Sequence, residues 1–344
     1  MNANNINSIT DIYNCAYTNK IPISVTLELN TTCNFRCKHC YIPKHIEKGL
    51  EFEKIQMIFQ ELRNLGTLNI TLTGGEVFLR DDILSIIEYA RSLGFRVFIL
   101  SNGSLINEET AKELSNLYIS EFSTTIFSMD KSINDEITGK KGSLNEILLG
   151  LENLKKNNIR VFVKCPITNI NVDTYRDVEK YAKDNKFRFM ISPVIFSKID
   201  GDSSNLSLRI DSIKLQQIIE DYDRLNCKNV PIVKDDNVPC TAIHYSMFIN
   251  SKGEVYPCNS LLSKIGTIYE SSLAEIWNNS SELHYLQSIQ NKNLPECKKC
   301  GYKKYCERCP GLALLEDNNI LGCSSIARQN AVARFEILTK GGKS

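Results

Sequence analysis

Between Ile23 and Val194 the apolar positions switch repeatedly between two periods. Short β-branched runs at residues 23–29, 68–73, 96–101, 118–127, 159–167 and 187–194 predict six strands. Between them the spacing lengthens to the helical i, i+3, i+4. Phe52, Ile55, Phe59, Leu62 and Leu65 recur this way across residues 51–65, and Ile83, Ile86, Ile87, Ala90 and Leu93 across residues 81–93. Residues 143–157 and 172–185 follow suit, and Gly66 and Gly94 stand just past two helices, where helix stops belong. The alternation predicts an α/β fold, a partial (β/α)6 TIM-type barrel with its ligand chemistry at the C-terminal ends of the strands.

A further helix is predicted at residues 210–225, after which the texture changes. Residues 245–249 and 254–256 flank Asn250-Ser251-Lys252-Gly253 and read as a hairpin with glycine in its turn. Short helices are predicted at 272–277 and 280–289, and a last one at 324–338. Residues 294–310 are dense in Cys, Lys and Arg and lack apolar periodicity, so they cannot bury a core without a metal's help. The expected organisation is a polar N-terminal extension (1–20), the barrel (21–226) and a small cysteine-rich domain (227–344).

Composition narrows the function. A net charge of +1 gives no general attraction to nucleic acid or to a membrane. No stretch resembles a signal peptide or a membrane span, so a cytoplasmic protein is expected. Structural disulfides are not expected in a cytoplasmic chain, and the count of thirteen cysteines is odd. The clustered cysteines point to metal or iron–sulfur ligation.

Cys33, Cys37 and Cys40 follow the first strand with three and then two residues between them. Three thiolates so spaced can wrap one face of a 4Fe–4S cluster and leave one iron open for another ligand. A structural zinc site, with His39 or His45 as fourth ligand, is the alternative. Thr73-Gly74-Gly75-Glu76 ends the second strand and Ser101-Asn102-Gly103 the third. Glycines at a strand end let the backbone approach a ligand, although both segments also read as plain turns.

The three-cysteine loop after a first strand resembles the signature of the radical S-adenosylmethionine family, and Gly-Gly-Glu resembles that family's second motif. The resemblance covers residues 21–194. It implies a cluster whose open iron chelates the methionyl group of S-adenosyl-L-methionine, and cleavage to a 5′-deoxyadenosyl radical. It also implies a cofactor site built from Gly74, Gly75, Glu76 (toward the methionyl amine), Asn102 and Thr125, with Lys164 and Asn169 as further pocket candidates. Thr125 is equally a good strand former, and Lys164 equally a lysine that reaches out to water. Asp200-Gly201 reads as a surface turn near the barrel mouth. The family usually has an aromatic residue where His39 stands.

Downstream, Cys240, Cys258, Cys297, Cys300, Cys306, Cys309 and Cys323 resemble the SPASM extension, which holds two auxiliary clusters. Carried over, Cys240, Cys258 and Cys309 hold the first, with a fourth site left open or filled by a group such as Cys227. Cys297, Cys300, Cys306 and Cys323 hold the second. The family more often has three residues where only Glu307 and Arg308 separate Cys306 from Cys309. A pair of zinc ribbons is the alternative here. Cys15 and Cys165 read as ordinary thiols, with a hydrogen-donor role open for Cys165 on its strand. His244 and His284 form no pattern with other ligands.

The implied enzyme carries three 4Fe–4S clusters and oxidatively modifies a ribosomally made peptide, by a thioether or carbon–carbon crosslink or by epimerisation. Its implied partners are the peptide substrate and a reductant such as flavodoxin or ferredoxin, with recognition of any leader peptide falling to a separate leader-recognition protein or to the barrel itself. Oxidation of Cys or Ser in a sulfatase and maturation of a heme-type cofactor are the enzymatic alternatives. A zinc module or electron carrier is the non-enzymatic one.

Overall fold

The computed structural model describes residues 8–225 and 234–340. Helix α1 (Ile9–Asn19) comes first, capped by the Ser8 hydroxyl, which accepts from the Asp11 amide. This helix was not expected from its Asn-rich sequence. Tertiary contacts hold it: Tyr13 meets Tyr245 edge-on at 5.3 Å and Tyr17 packs on His244 at 4.6 Å.

The barrel strands are β1 (Ser24–Glu28), β2 (Asn69–Thr73), β3 (Arg96–Leu100), β4 (Glu121–Thr125), β5 (Val161–Pro166) and β6 (Arg188–Ser192). They pair in parallel and in chain order, as successive β–α units must when every crossover has one hand. The helices between them are α2 (Phe52–Asn64), α3 (Ile83–Ser92), α4 (Glu108–Asn116), α5 (Lys131–Thr138), α6 (Ser143–Lys156) and α7 (Tyr175–Asp184). Leu27, Leu72, Ile99, Phe122, Val163 and Ile191 are fully buried, one from each strand. The strand expected at 118–127 begins later because Tyr118 is exposed and left-handed (φ 51°) and ends α4 instead.

After α8 (Ser212–Leu225) the chain returns to the sheet. Strands β7 (Ser246–Ile249), β8 (Glu254–Tyr256) and β9 (Gly266–Thr267) continue it, with β7 parallel to β1 and the others antiparallel. The hairpin is therefore an extension of the barrel sheet, giving the order β6-β5-β4-β3-β2-β1-β7-β8-β9. Its turn is fastened to β1 by buried Glu28, whose carboxylate accepts from the Ser251 amide (3.1 Å) and hydroxyl (2.7 Å). Gly253 (φ 79°) makes the turn.

The remainder is short helices: α9 (Leu273–Asn279), α10 (Ser281–Ser288), α11 (Pro295–Lys298), α12 (Pro310–Asp317) and α13 (Ser325–Lys340). Trp277 on α9 donates its indole N–H to the Lys20 carbonyl at 2.6 Å, tying this part to the entry of β1. Among the described residues no helix is long and apolar enough to cross a membrane.

Candidate active site

The loop after β1 carries Cys33, Cys37 and Cys40, and its shape is imposed from three sides. The C-terminal end of α5 supplies the carbonyls of Thr138 and Ile137 to the amides of Arg36 (2.9 Å) and Lys38 (2.8 Å). Asn34 bonds Ser104 and Asn102, at 2.9 and 2.8 Å. Gly74 and Gly75 lie underneath. A Cβ on Gly75 would stand 2.3 Å from the Thr32 carbonyl oxygen, and one on Gly74 2.6 Å from that of Asn30. These glycines admit the backbone that leads into the cysteine loop, and two ladder-like bonds, Gly75 N–H to Asn30 O and Glu76 N–H to Thr32 O, bind the strands together there.

The three thiols border a cavity of about 390 Å³ at the C-terminal strand ends, shared with Gly74, Gly75, Asn102, Thr125 and Lys164. Glu76 is different. It does not line the cavity and is fully buried, and its carboxylate accepts from Ser101 Oγ (2.7 Å), the Asn102 amide (2.8 Å) and the Phe78 amide (3.0 Å). It clamps the end of β2 to the turn after β3, and burial holds its pKa above the ordinary carboxylate range. Asn102 lines the cavity, but its side-chain amide is engaged with Asn34 and the Ser104 amide, the work of a turn asparagine.

Thr125 and Lys164 are register partners on β4 and β5. Lys164 Nζ stands 5.5 Å from the Phe162 ring centroid, and burial pulls its pKa down. Asn169 lies outside the cavity; it is exposed and donates to the Ser207 carbonyl. Asp200-Gly201 is an exposed turn closed by Lys198 and Asp202. Cys165 is buried at the cavity wall, its Sγ 3.6 Å from the Phe127 carbonyl. His39 also lines the cavity, edge-on to Phe127, with a buried Nδ1 that has no hydrogen-bond partner. Burial lowers its pKa to about 4 and keeps it neutral.

The C-terminal thiols fall into two groups. Cys240, Cys258 and Cys309 lie close enough for their charges to interact. Cys297, Cys300, Cys306 and Cys323 do likewise and line a second cavity of about 530 Å³. Cys227 lies outside the described residues. Two supports were missed from sequence. One is α5, signalled by its Asp130 cap and by Gly139 as its stop. The other is α12, which starts at Pro310 directly after Cys309.

Every cysteine among the described residues is a free thiol. Among those residues no three His, Cys, Asp or Glu side chains converge on the position of a single metal ion. Free thiols gathered round a cavity suit a cubane, in which each takes a separate iron. Burial raises the pKa of Cys33, Cys37 and Cys40, pushes Cys258 to about 11 and Cys306 to about 12, so loading must release protons.

Residues 27–184 match the Radical SAM superfamily, and residues 240–301 match SPASM, an iron–sulfur cluster-binding domain. The chain is 30% identical to the sporulation killing factor maturation protein SkfB of Bacillus subtilis, over 74% of this chain and 65% of that one. It is 21% identical to the AdoMet-dependent heme synthase of Oleidesulfovibrio alaskensis, over 83% and 81%. Its fold is similar to that of Streptococcus suis SuiB bound to the precursor peptide SuiA (TM-score 0.71, 16% identity, 92% and 79% covered). With three thiols at the mouth of a parallel β/α sheet and the matched domains in this order, the chain belongs to the radical S-adenosylmethionine enzymes and carries a SPASM iron–sulfur domain.

Proposed function

We propose that this enzyme modifies a peptide, either oxidatively, forming a thioether or carbon–carbon crosslink, or without net oxidation, epimerising a residue. The observation that carries this reading is the presence of two further thiol groups besides the catalytic loop. Cys33, Cys37 and Cys40 would hold the cluster that binds S-adenosylmethionine. Cys240, Cys258 and Cys309 would hold one auxiliary cluster, and Cys297, Cys300, Cys306 and Cys323 the other. When loaded, the first site supplies the electron that cleaves S-adenosylmethionine to a 5′-deoxyadenosyl radical.

The chain's own residues then position and shield. Gly74, Gly75 and Asn102 form the cavity floor beside the cysteine loop, fixed from behind by Glu76. Thr125, on the cavity wall, would offer its hydroxyl to a ribose. Lys164, a cation at the cavity wall, suits the carboxylate of cofactor or substrate. Phe35, Phe127 and Ile195 supply apolar wall that excludes water from a reactive radical. A radical left on the substrate must lose one electron to give an even-electron crosslink, and the two auxiliary sites suit that transfer. A reductant such as flavodoxin or ferredoxin, and a separate leader-recognition protein, complete the proposed system. The identity to SkfB supports the peptide reading.

The test is anaerobic reconstitution followed by mass spectrometry of co-expressed candidate peptides. A crosslink removes a pair of hydrogens, and epimerisation leaves the mass unchanged but alters retention. Heme-type maturation, the reading suggested by the AdoMet-dependent heme synthases among the relatives, would instead leave every peptide untouched and consume a tetrapyrrole.

A further inference from the structure

Arg308 occupies the short gap between Cys306 and Cys309, where this chain departs from the spacing usual in its family. Its guanidinium is partly buried and braced only by main chain. Nε and Nη2 donate to the Gly322 carbonyl at 3.0 and 2.8 Å, and Nη2 also donates to that of Ile320. Nη1 is buried without a hydrogen-bond partner. The neighbouring Glu307 does not neutralise it, being paired with Arg334 at 2.8 Å. Among the described residues no carboxylate forms an ion pair with Arg308.

The groups that do feel its charge are thiols of both sets. They are Cys297, Cys306 and Cys323 from one and Cys309 from the other, and Cys240 of the latter responds to it as well. Arg308 also lines the cavity that Cys297, Cys300, Cys306 and Cys323 border. A guanidinium stays protonated in proteins, and a cation withdrawn from water needs a countercharge. Glu296 and Glu307 share the cavity wall, but among the described residues the anionic groups whose charge acts on Arg308 are these thiols, alone or on a cluster.

We propose that Arg308 is the shared countercharge of the two auxiliary cluster sites and raises the reduction potential of both. The proposal rests on the reading that both thiol groups bind clusters. When a cluster accepts one electron its site becomes one unit more negative, and a fixed cation favours that state. In turnover the electron comes from the substrate radical, which is thereby oxidised, and leaves to a one-electron carrier protein. A cation within reach of both sites biases both steps of that path together.

The experiment is a dithionite redox titration, followed by electron paramagnetic resonance, of the reconstituted full-length enzyme and its Arg308→Gln and Arg308→Lys variants, with iron counted in each. At equal iron, Arg308→Gln should lower the reduction equilibrium constant of both auxiliary clusters by about tenfold or more, which is about 59 mV for a one-electron couple. The radical-site cluster should be unchanged, and Arg308→Lys should stay near wild type. Unchanged potentials in Arg308→Gln, or a shift in one auxiliary cluster alone, overturn the proposal. If Arg308→Gln loses auxiliary iron while Arg308→Lys keeps it, the requirement for charge stands. If both lose it, Arg308 acts only by bracing Gly322 and Ile320, and the proposal fails. Wild-type enzyme that binds iron only at the radical site would sink the two-cluster reading itself, and the proposal with it.

Discussion

Replacing Glu76 with Gln removes one acceptor from a buried site that uses both carboxylate oxygens. Oε1 accepts from the Phe78 amide and the Ser101 hydroxyl, and Oε2 from the Asn102 amide. In either orientation, the glutamine NH2 faces a main-chain N–H, that of Phe78 or of Asn102, and strands it. A hydrogen bond to a charged group contributes about 1.5–3 kcal/mol. Against this, glutamine avoids the desolvation that raises the Glu76 pKa, so we expect a net loss of about 2 kcal/mol. The check is urea unfolding of the apoprotein under reductant, together with calorimetric binding of S-adenosylmethionine to the reconstituted enzyme. The variant should unfold earlier by that amount and bind the cofactor about tenfold more weakly, because the clamp fixes cavity-lining Asn102 and Gly75. Iron content should hold. An unchanged apoprotein midpoint with collapsed affinity would refute the clamp and show that the carboxylate acts on the ligand directly.

Three other perturbations have distinct signatures. Gly75→Ala drives a Cβ to 2.3 Å from the Thr32 carbonyl oxygen; overpacking of this kind costs about 1–3 kcal/mol, and iron analysis should show loss from the radical site while the auxiliary sites keep theirs. Arg334→Met abandons a guanidinium that is 4% exposed and bound to Asp223 and Glu307. Both carboxylates can regain water, so the loss should fall near the lower end of the roughly 3–5 kcal/mol typical of a broken buried pair, read as an earlier urea midpoint. Lys164→Gln removes a largely buried cation and should leave apoprotein stability unchanged or raised. Affinity for the anionic ligand should fall about tenfold, as expected for loss of a charge-assisted bond; unchanged affinity would assign Lys164 to packing alone.

Much of this molecule is legible in its sequence, for reasons visible residue by residue. The barrel strands appear because runs such as Val25–Leu27 and Ile70–Leu72 bury alternate residues fully, Val25 and Leu27, Ile70 and Leu72, and leave Thr26 and Thr71 half-buried between them. The cysteine loop appears because ligand spacing is local. What escapes depends on tertiary contact. Helix α1 has one fully buried apolar residue, Ala16, and is held by aromatic pairs to the hairpin region. Helix α4 shows the core only Ala111 and Leu114. The hairpin's union with β1 is a pairing over more than two hundred residues of sequence, which no local pattern encodes. In the site, Gly-Gly-Glu is visible as a motif, but its division of labour is not. Only the packing shows that the glycines admit the Asn30–Thr32 backbone and that Glu76 braces the turn after β3.

The central claim is that Cys33, Cys37 and Cys40 form a radical-generating site, and release of 5′-deoxyadenosine tests it most directly. The reconstituted enzyme, reduced under anaerobic conditions with S-adenosylmethionine, should release 5′-deoxyadenosine and carry about twelve irons per chain, about four per cluster. Cys33→Ala should abolish the release while keeping the auxiliary iron. Release that persists in Cys33→Ala, or a colourless wild-type protein holding stoichiometric zinc, would contradict the account.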